Sequence, residues 1–135
     1  LADEPDQTFD LIILVHVLDH MLDPIAKLKE MYRLLKPGGY LFTVTHNHNS
    51  MVRRVMRSNW PPYCLHHPQL FNEKSKHIAF SNVGFKKIVI DATVNYFPLG
   101  FLISKLFVTI GLQVEIPLGP VMKIKTGNIF GVAQK

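Results

Sequence analysis

The chain has 135 residues, 47% of them hydrophobic and 19% charged, which suits one domain with a packed core and excludes wholesale disorder. Its net charge of +5 is uneven: residues 1–45 carry four Lys/Arg against seven Asp/Glu, residues 46–90 seven against one, and residues 91–135 four against two. The single cysteine, Cys64, excludes a disulfide-stapled scaffold, so a reducing compartment, the cytoplasm, is the expectation.

After Leu1 and an acidic lead that matches no signal or transit peptide, residues 9–15 form a short, almost wholly apolar run. Such a run predicts a strand covered on both faces, as in parallel sheets. Asp23 and Pro24 then open a helix, as N-cap and first helical residue. Ile25, Leu28, Tyr32 and Leu35 make its apolar stripe. Lys36 is expected at its negative end and Pro37-Gly38-Gly39 as its stop. Residues 40–45 predict a second strand, completing a βαβ unit with a right-handed crossover.

A polar stretch, His46-Asn47-His48-Asn49, leads into a short basic helix around residues 51–57 and a loop fixed by Pro61 and Pro62. Asn72 can cap a helix over residues 73–83, stopped by Gly84. Residues 85–94 predict a third strand. Pro98 starts another helix, with Leu99, Leu102, Ile103, Leu106, Phe107 and Ile110 on one face. Residues 128–133 predict the last strand. The stretch from Tyr96 to Val114 is broken by Pro98, Gly100, Lys105 and Gly111, so no transmembrane segment is expected. The pattern is an α/β layer architecture, in which ligands sit beyond the carboxyl ends of the strands. Those ends, Val15-His16 and Thr45-His46, both run into histidine-bearing segments.

Phe9-Asp10-Leu11-Ile12, Val17-Leu18-Asp19-His20, Asp23-Pro24 and Arg33-Leu34-Leu35-Lys36-Pro37-Gly38-Gly39, in this order and spacing, resemble class I S-adenosylmethionine-dependent methyltransferases. His67-Pro68-Gln69-Leu70-Phe71-Asn72, the pair Gly84-Phe85, and the segments from Tyr96 and from Gly127 resemble the tail of a bacterial small-molecule branch, with a helical lid before the last strand. The resemblance implies a Rossmann-like fold in which these strands are the fourth to seventh, the last antiparallel between its neighbours. It implies S-adenosyl-L-methionine as cofactor. The family's glycine-rich cofactor turn and ribose-binding acid have no counterpart in residues 1–135. The expectation is therefore a partial methyltransferase domain, the acceptor side of a longer protein, inactive alone.

The resemblance places Val15, His16 and His20 beside the cofactor. His20 and His16 are the candidate catalytic residues, since a neutral imidazole takes a proton from an acceptor hydroxyl near pH 7. His16, Asp19 and His20, spaced i, i+3, i+4, share one face if helical; a metal site is the other reading of that spacing. His46, Asn47, Trp60, Tyr63, His66, His67 and Phe101 are candidates for the acceptor side. Arg53, Arg54 and Arg57 either meet an anionic, lipid-like or sugar-like acceptor or form a solvated face; no nucleic-acid motif accompanies them. The rival functions are a non-catalytic binding fragment and a histidine metal site with hydrolytic chemistry. The strand at residues 9–15, left without a neighbour on one side, is expected to present an open apolar edge that invites self-association.

Overall fold

The computed structural model describes residues 4–109 and 111–135; for Leu102, Lys105, Leu106, Val108, Thr109 and Thr126 it describes the backbone alone. The elements are β1 (Phe9–Val15), a 3-10 turn (Leu18–His20), α1 (Pro24–Leu34), β2 (Leu35–His46), α2 (Met51–Met56), a second 3-10 turn (Arg57–Asn59), α3 (Glu73–Val83), β3 (Lys86–Pro98), α4 (Leu99–Thr109) and β4 (Val121–Gln134). The four strands form one sheet in the order β1-β2-β4-β3. β1 and β2 are parallel, with Ile12 opposite Leu41 and Val15 opposite Val44. β4 runs antiparallel to β2, with Thr43 opposite Gly131, Thr45 opposite Ile129 and His46 opposite Asn128. The last strand thus lies between β2 and β3, as the resemblance implies.

Contacts divide the chain into two compact units, Leu1–Thr93 with Gly127–Lys135, and Val94–Thr126. The first holds the core. Leu28, Met31 and Leu34 of α1, Ala79 and Phe80 of α3, and Leu41, Ile129 and Ala133 of the sheet are buried together. Tyr32 and Phe85 add an edge-to-face ring pair at 5.0 Å. Each fully buried Leu or Phe contributes about 1.5–3 kcal/mol against conformational entropy.

The local signals hold where capping chemistry sets a boundary. Asp23 Oδ1 accepts from the Ala26 N–H at 2.9 Å and opens α1. Asn72 and Ser75 form a reciprocal capping box on α3, and Gly84, at φ +108°, ends it in the left-handed conformation that glycine adopts without strain. The other end of α1 differs from expectation. The helix stops at Leu34, before Lys36, because the residue preceding Pro37 is pushed out of the helical region and Leu35 is already extended. Lys36 therefore pairs with Asp10 at 2.8 Å rather than capping the helix.

Two strands are longer than expected. β3 runs on to Pro98 and β4 begins at Val121, both reaching into the second unit. The alternation of Met122 and Ile124 with Lys123 and Lys125 is strand chemistry that carries β4 upstream of Asn128. β1 also departs from expectation: its alternate residues Leu11, Ile13 and Val15 are 52%, 57% and 52% exposed, so one face is open. It is an edge strand of the sheet.

In the second unit, α4 starts at Leu99, whose N–H donates to Pro120 O at 2.8 Å. Phe101 stacks on Phe97 with ring centroids 5.7 Å apart. Of the expected apolar stripe, Leu102, Leu106 and Ile110 lie outside the residues whose side chains are described. Among the described residues no helix is long and apolar enough to cross a membrane.

Candidate active site at the carboxyl ends of β1 and β2

Parallel pairing brings the ends of β1 and β2 level. His16 leaves β1 with φ +51°, a left-handed conformation that is uncommon outside glycine. Its N–H still donates to Val44 O at 2.9 Å, which fixes where the chain departs from the sheet. Leu18 then sinks into the core, and the 3-10 turn carries Asp19 inward with it; both are about fully buried. β2 ends on His46, level with Asn128 of β4, whose Oδ1 lies 3.0 Å from His46 Nδ1.

Asp19 is the hub. Its Oδ2 accepts from the His46 backbone N–H at 3.3 Å. The same oxygen lies 3.7 Å from His16 Nδ1 and 3.9 Å from His46 Nε2. Asp19 Oδ1 and His16 Nδ1 are buried and have no hydrogen-bond partner within the protein. The imidazoles pack on one another around this carboxylate. His16 and His46 rings are 4.6 Å apart, His20 and His67 4.4 Å, and His46 and His67 4.9 Å. The trio read from spacing changes one member: His46 joins His16 and Asp19, their donor atoms all within 4.8 Å of one another, while His20 faces His67 instead. One small cation would fit such a span.

The loop after α2 closes one side. Trp60 is buried, with its ring edge-on to His46 at 6.1 Å and to Tyr63 at 5.1 Å, so it packs beneath its own loop rather than offering a free stacking face. Tyr63 accepts at its hydroxyl from Arg53 Nε at 2.7 Å, which spends part of the basic patch within the protein. Arg54 likewise donates to Asn49 Oδ1 at 3.0 Å. Asn47 is a loop anchor: its Nδ2 donates to Glu73 Oε1 at 2.8 Å and its Oδ1 accepts from the Asn49 N–H at 2.8 Å. Cys64 Sγ lies 3.1 Å from His67 Nδ1. Val15 is half exposed beside the site, His66 is exposed, and Phe101 belongs to the second unit.

Burial sets the charge of the cluster. It pushes His46 below the ordinary histidine value, against the hydrogen bond to Asn128 Oδ1 and the Asp19 charge, and His16 adds to the downward push. Burial lowers His67 as well, helped by His46 and His20. Both imidazoles are therefore neutral at pH 7.

Two participants escaped the sequence reading of proton chemistry: the hub role of Asp19, and Lys76. Lys76 sits on α3 with no exposed surface. Its Nζ donates to Thr45 Oγ1 and Ile129 O, each at 3.2 Å, and to Thr43 O at 3.5 Å. The signal for it was present, since Lys76 shares the i, i+3, i+4 face of Ala79 and Phe80, where an apolar residue belongs.

A methyltransferase-domain family profile matches residues 1–89. The ubiquinone biosynthesis O-methyltransferase of Idiomarina loihiensis is 30% identical over 113 residues, covering 78% of this chain and 46% of that protein. The enzyme of that name from Parvibaculum lavamentivorans is 31% identical over 102 residues, covering 69% of this chain and 39% of its own length. The chain thus spans less than half the length of these curated relatives. Among solved structures, an S-adenosylmethionine-dependent methyltransferase from Thermotoga maritima superposes with a TM-score of 0.66 at 20% identity, covering 98% of this chain and 59% of that one. A phosphoethanolamine N-methyltransferase from Haemonchus contortus, in complex with S-adenosylhomocysteine, gives 0.55 at 13% identity, covering 98% and 35%.

Proposed function

We propose, from the premise that this chain belongs to the methyltransferase-domain family and has the class I S-adenosylmethionine-dependent fold, that it is the acceptor side of an enzyme methylating a hydroxyl group of a small molecule. The observation that carries this reading is the convergence of His16, Asp19 and His46 at the carboxyl ends of two parallel strands, where α/β enzymes bind their ligands. The names of the curated relatives favour oxygen as the methylated atom.

The cofactor supplies an electrophilic methyl group on a sulfonium. Of the residues present, Val15, His16 and His20 would hold its methyl-bearing end. Val15 fits, because it stands half exposed where β1 ends and the chain turns away. The glycine-rich cradle is not among these residues, so they would form one wall of the cofactor site.

Methyl transfer needs an oxygen nucleophile held in line and relieved of its proton. His16 is the proposed base. Asp19 Oδ2, 3.7 Å from His16 Nδ1, orients the ring and favours the tautomer protonated at Nδ1, which leaves Nε2 free to accept a proton. That separation is long for a hydrogen bond, as catalytic contacts often are before substrate binds. Of the other rings, His46 and His67 line the acceptor site as uncharged walls with polar edges, and His20 packs against His67. Trp60, Tyr63 and Asn47 hold the loop that carries His67. His66 is a proposed contact for the distal part of the acceptor.

The test is transfer of label from methyl-tritiated S-adenosylmethionine by the protein that carries this chain, offered phenols, amines and thiols in parallel. Label in the phenols is the expected result. Label confined to amines or thiols, or none in any acceptor while the cofactor binds, would overturn the reading.

A further inference from the structure

The second unit carries apolar surface that neither the core nor the proposed chemistry uses. Tyr96 of β3 is 66% exposed, Leu118 65% and Val121 62%; Leu99, Leu112 and Met122 are exposed as well. Large apolar side chains left in water together mark a surface that something else covers. A fold-back brings several of them to one place. Where β3 passes into α4, the Leu99 N–H donates to Pro120 O at 2.8 Å, and the Gly100 N–H donates to Leu118 O at 2.9 Å. Glycine permits this approach, because a Cβ on Gly100 would run into Pro117 O. Leu99, Leu118 and Val121, which α4 and the loop after it separate in sequence, therefore share one junction.

The strand leaving that junction adds charge. Val121, Lys123 and Lys125 alternate along β4 and so fall on one face of it, and both lysines are exposed. In residues 94–126, Lys105, Lys123 and Lys125 stand against a single acid, Glu115. This balance selects among the occupants. A second copy would bring the same positive excess to the contact. A nucleic acid would meet the lysines and leave the apolar junction in water. The surface of an anionic bilayer answers both features. Its headgroups neutralise the lysines, and its acyl boundary takes apolar side chains of irregular arrangement without a matching groove. Tyr96 suits the same boundary, with an apolar ring and a polar hydroxyl.

We propose that the second unit is a docking surface for an anionic lipid bilayer, with Leu99, Leu118 and Val121 entering the headgroup region and Lys123 and Lys125 lying against the lipid charge. The attachment is peripheral, since no helix among the described residues is long and apolar enough to cross a membrane. A few apolar side chains and two lysines give a reversible hold that salt weakens. Docking is measured without any methyl transfer, so it and the reading of the acceptor site can each fail alone.

The experiment is co-sedimentation of the protein that carries this chain with sucrose-loaded vesicles, made either of phosphatidylcholine alone or of an equal mixture of phosphatidylcholine and phosphatidylglycerol. The expected result is binding to the mixed vesicles, about tenfold or more weaker binding to phosphatidylcholine, and release from both as salt is raised. Lys123→Gln combined with Lys125→Gln should weaken binding to the mixed vesicles by about 25-fold, at about fivefold for each lysine near an anionic surface. Leu118→Asp should weaken it by about tenfold or more. The lysine pair stands on exposed strand positions and keeps the test open should Leu118→Asp not fold. Binding to neither vesicle, or binding to the mixed vesicles that the lysine pair leaves unchanged, overturns the proposal. So does binding lost in an Arg54→Gln, Arg57→Gln variant of the first unit but kept in the second-unit variants. A lipid-free dimer that Leu118→Asp dissociates would assign the junction to a second copy and overturn it likewise.

Discussion

Burial holds Lys76, His46 and His67 below their ordinary values, so the residue-scale consequences are read by pH. The folded chain holds Lys76's proton only below about pH 7, while the unfolded chain holds it up to the ordinary 10.5. Between these values the unfolded state holds more protons, so stability rises with pH. The expected slope approaches about 1.4 kcal/mol per pH unit within that window. His46 and His67, also lowered in the folded state, add a loss of stability as pH falls below about 6.5. Urea unfolding from pH 7 to 10 checks the first statement; a flat profile there, or the same slope in Lys76→Met, would contradict it. The sequence reading assigned Lys76 no role, because lysine is rarely buried. What revealed its place was the helical period shared with Ala79 and Phe80, together with a glycine in a strand that no turn required.

At the scale of elements, the boundaries legible in the sequence were those written in local chemistry. Asp23-Pro24, Asn72 with Ser75, and Gly84 each satisfy or terminate backbone hydrogen bonds within a few residues, so α1 begins and α3 begins and ends where those residues stand. The end of α1 was misplaced because Pro37 acts on the residues before it. The downstream reach of β3 and the upstream reach of β4 were missed because strands depend on partners distant in sequence. The candidate site shows the same division. The ends of β1 and β2 could be named from the βαβ pattern, but the substitution of His46 for His20 beside Asp19 depends on the level pairing of Val15 with Val44. β1 itself carries a testable liability. Leu11, Ile13 and Val15 stand exposed on an edge strand, the arrangement that invites pairing with a second copy. The chain expressed alone is expected to self-associate at high concentration, and Ile13→Lys to reduce that association. Sedimentation that finds a wild-type monomer throughout would contradict this.

For the molecule as a whole, the four-stranded sheet in the order β1-β2-β4-β3 is the class I methyltransferase architecture of this chain, with α1 and α3 burying the core. The site sits where that architecture puts it, at the carboxyl ends of the parallel pair. Its chemistry comes from what this chain places there: a buried carboxylate ringed by imidazoles. The central claim is that His16, oriented by Asp19, takes the acceptor's proton during methyl transfer. The measurement that tests it most directly is the rate of label transfer to a phenolic acceptor by the protein that carries this chain, wild type against His16→Ala and Asp19→Asn. Both variants are expected to lose about 100-fold or more in rate, and Asp19→Asn to bind the cofactor with unchanged affinity by calorimetry. Full-rate transfer by His16→Ala would contradict the account.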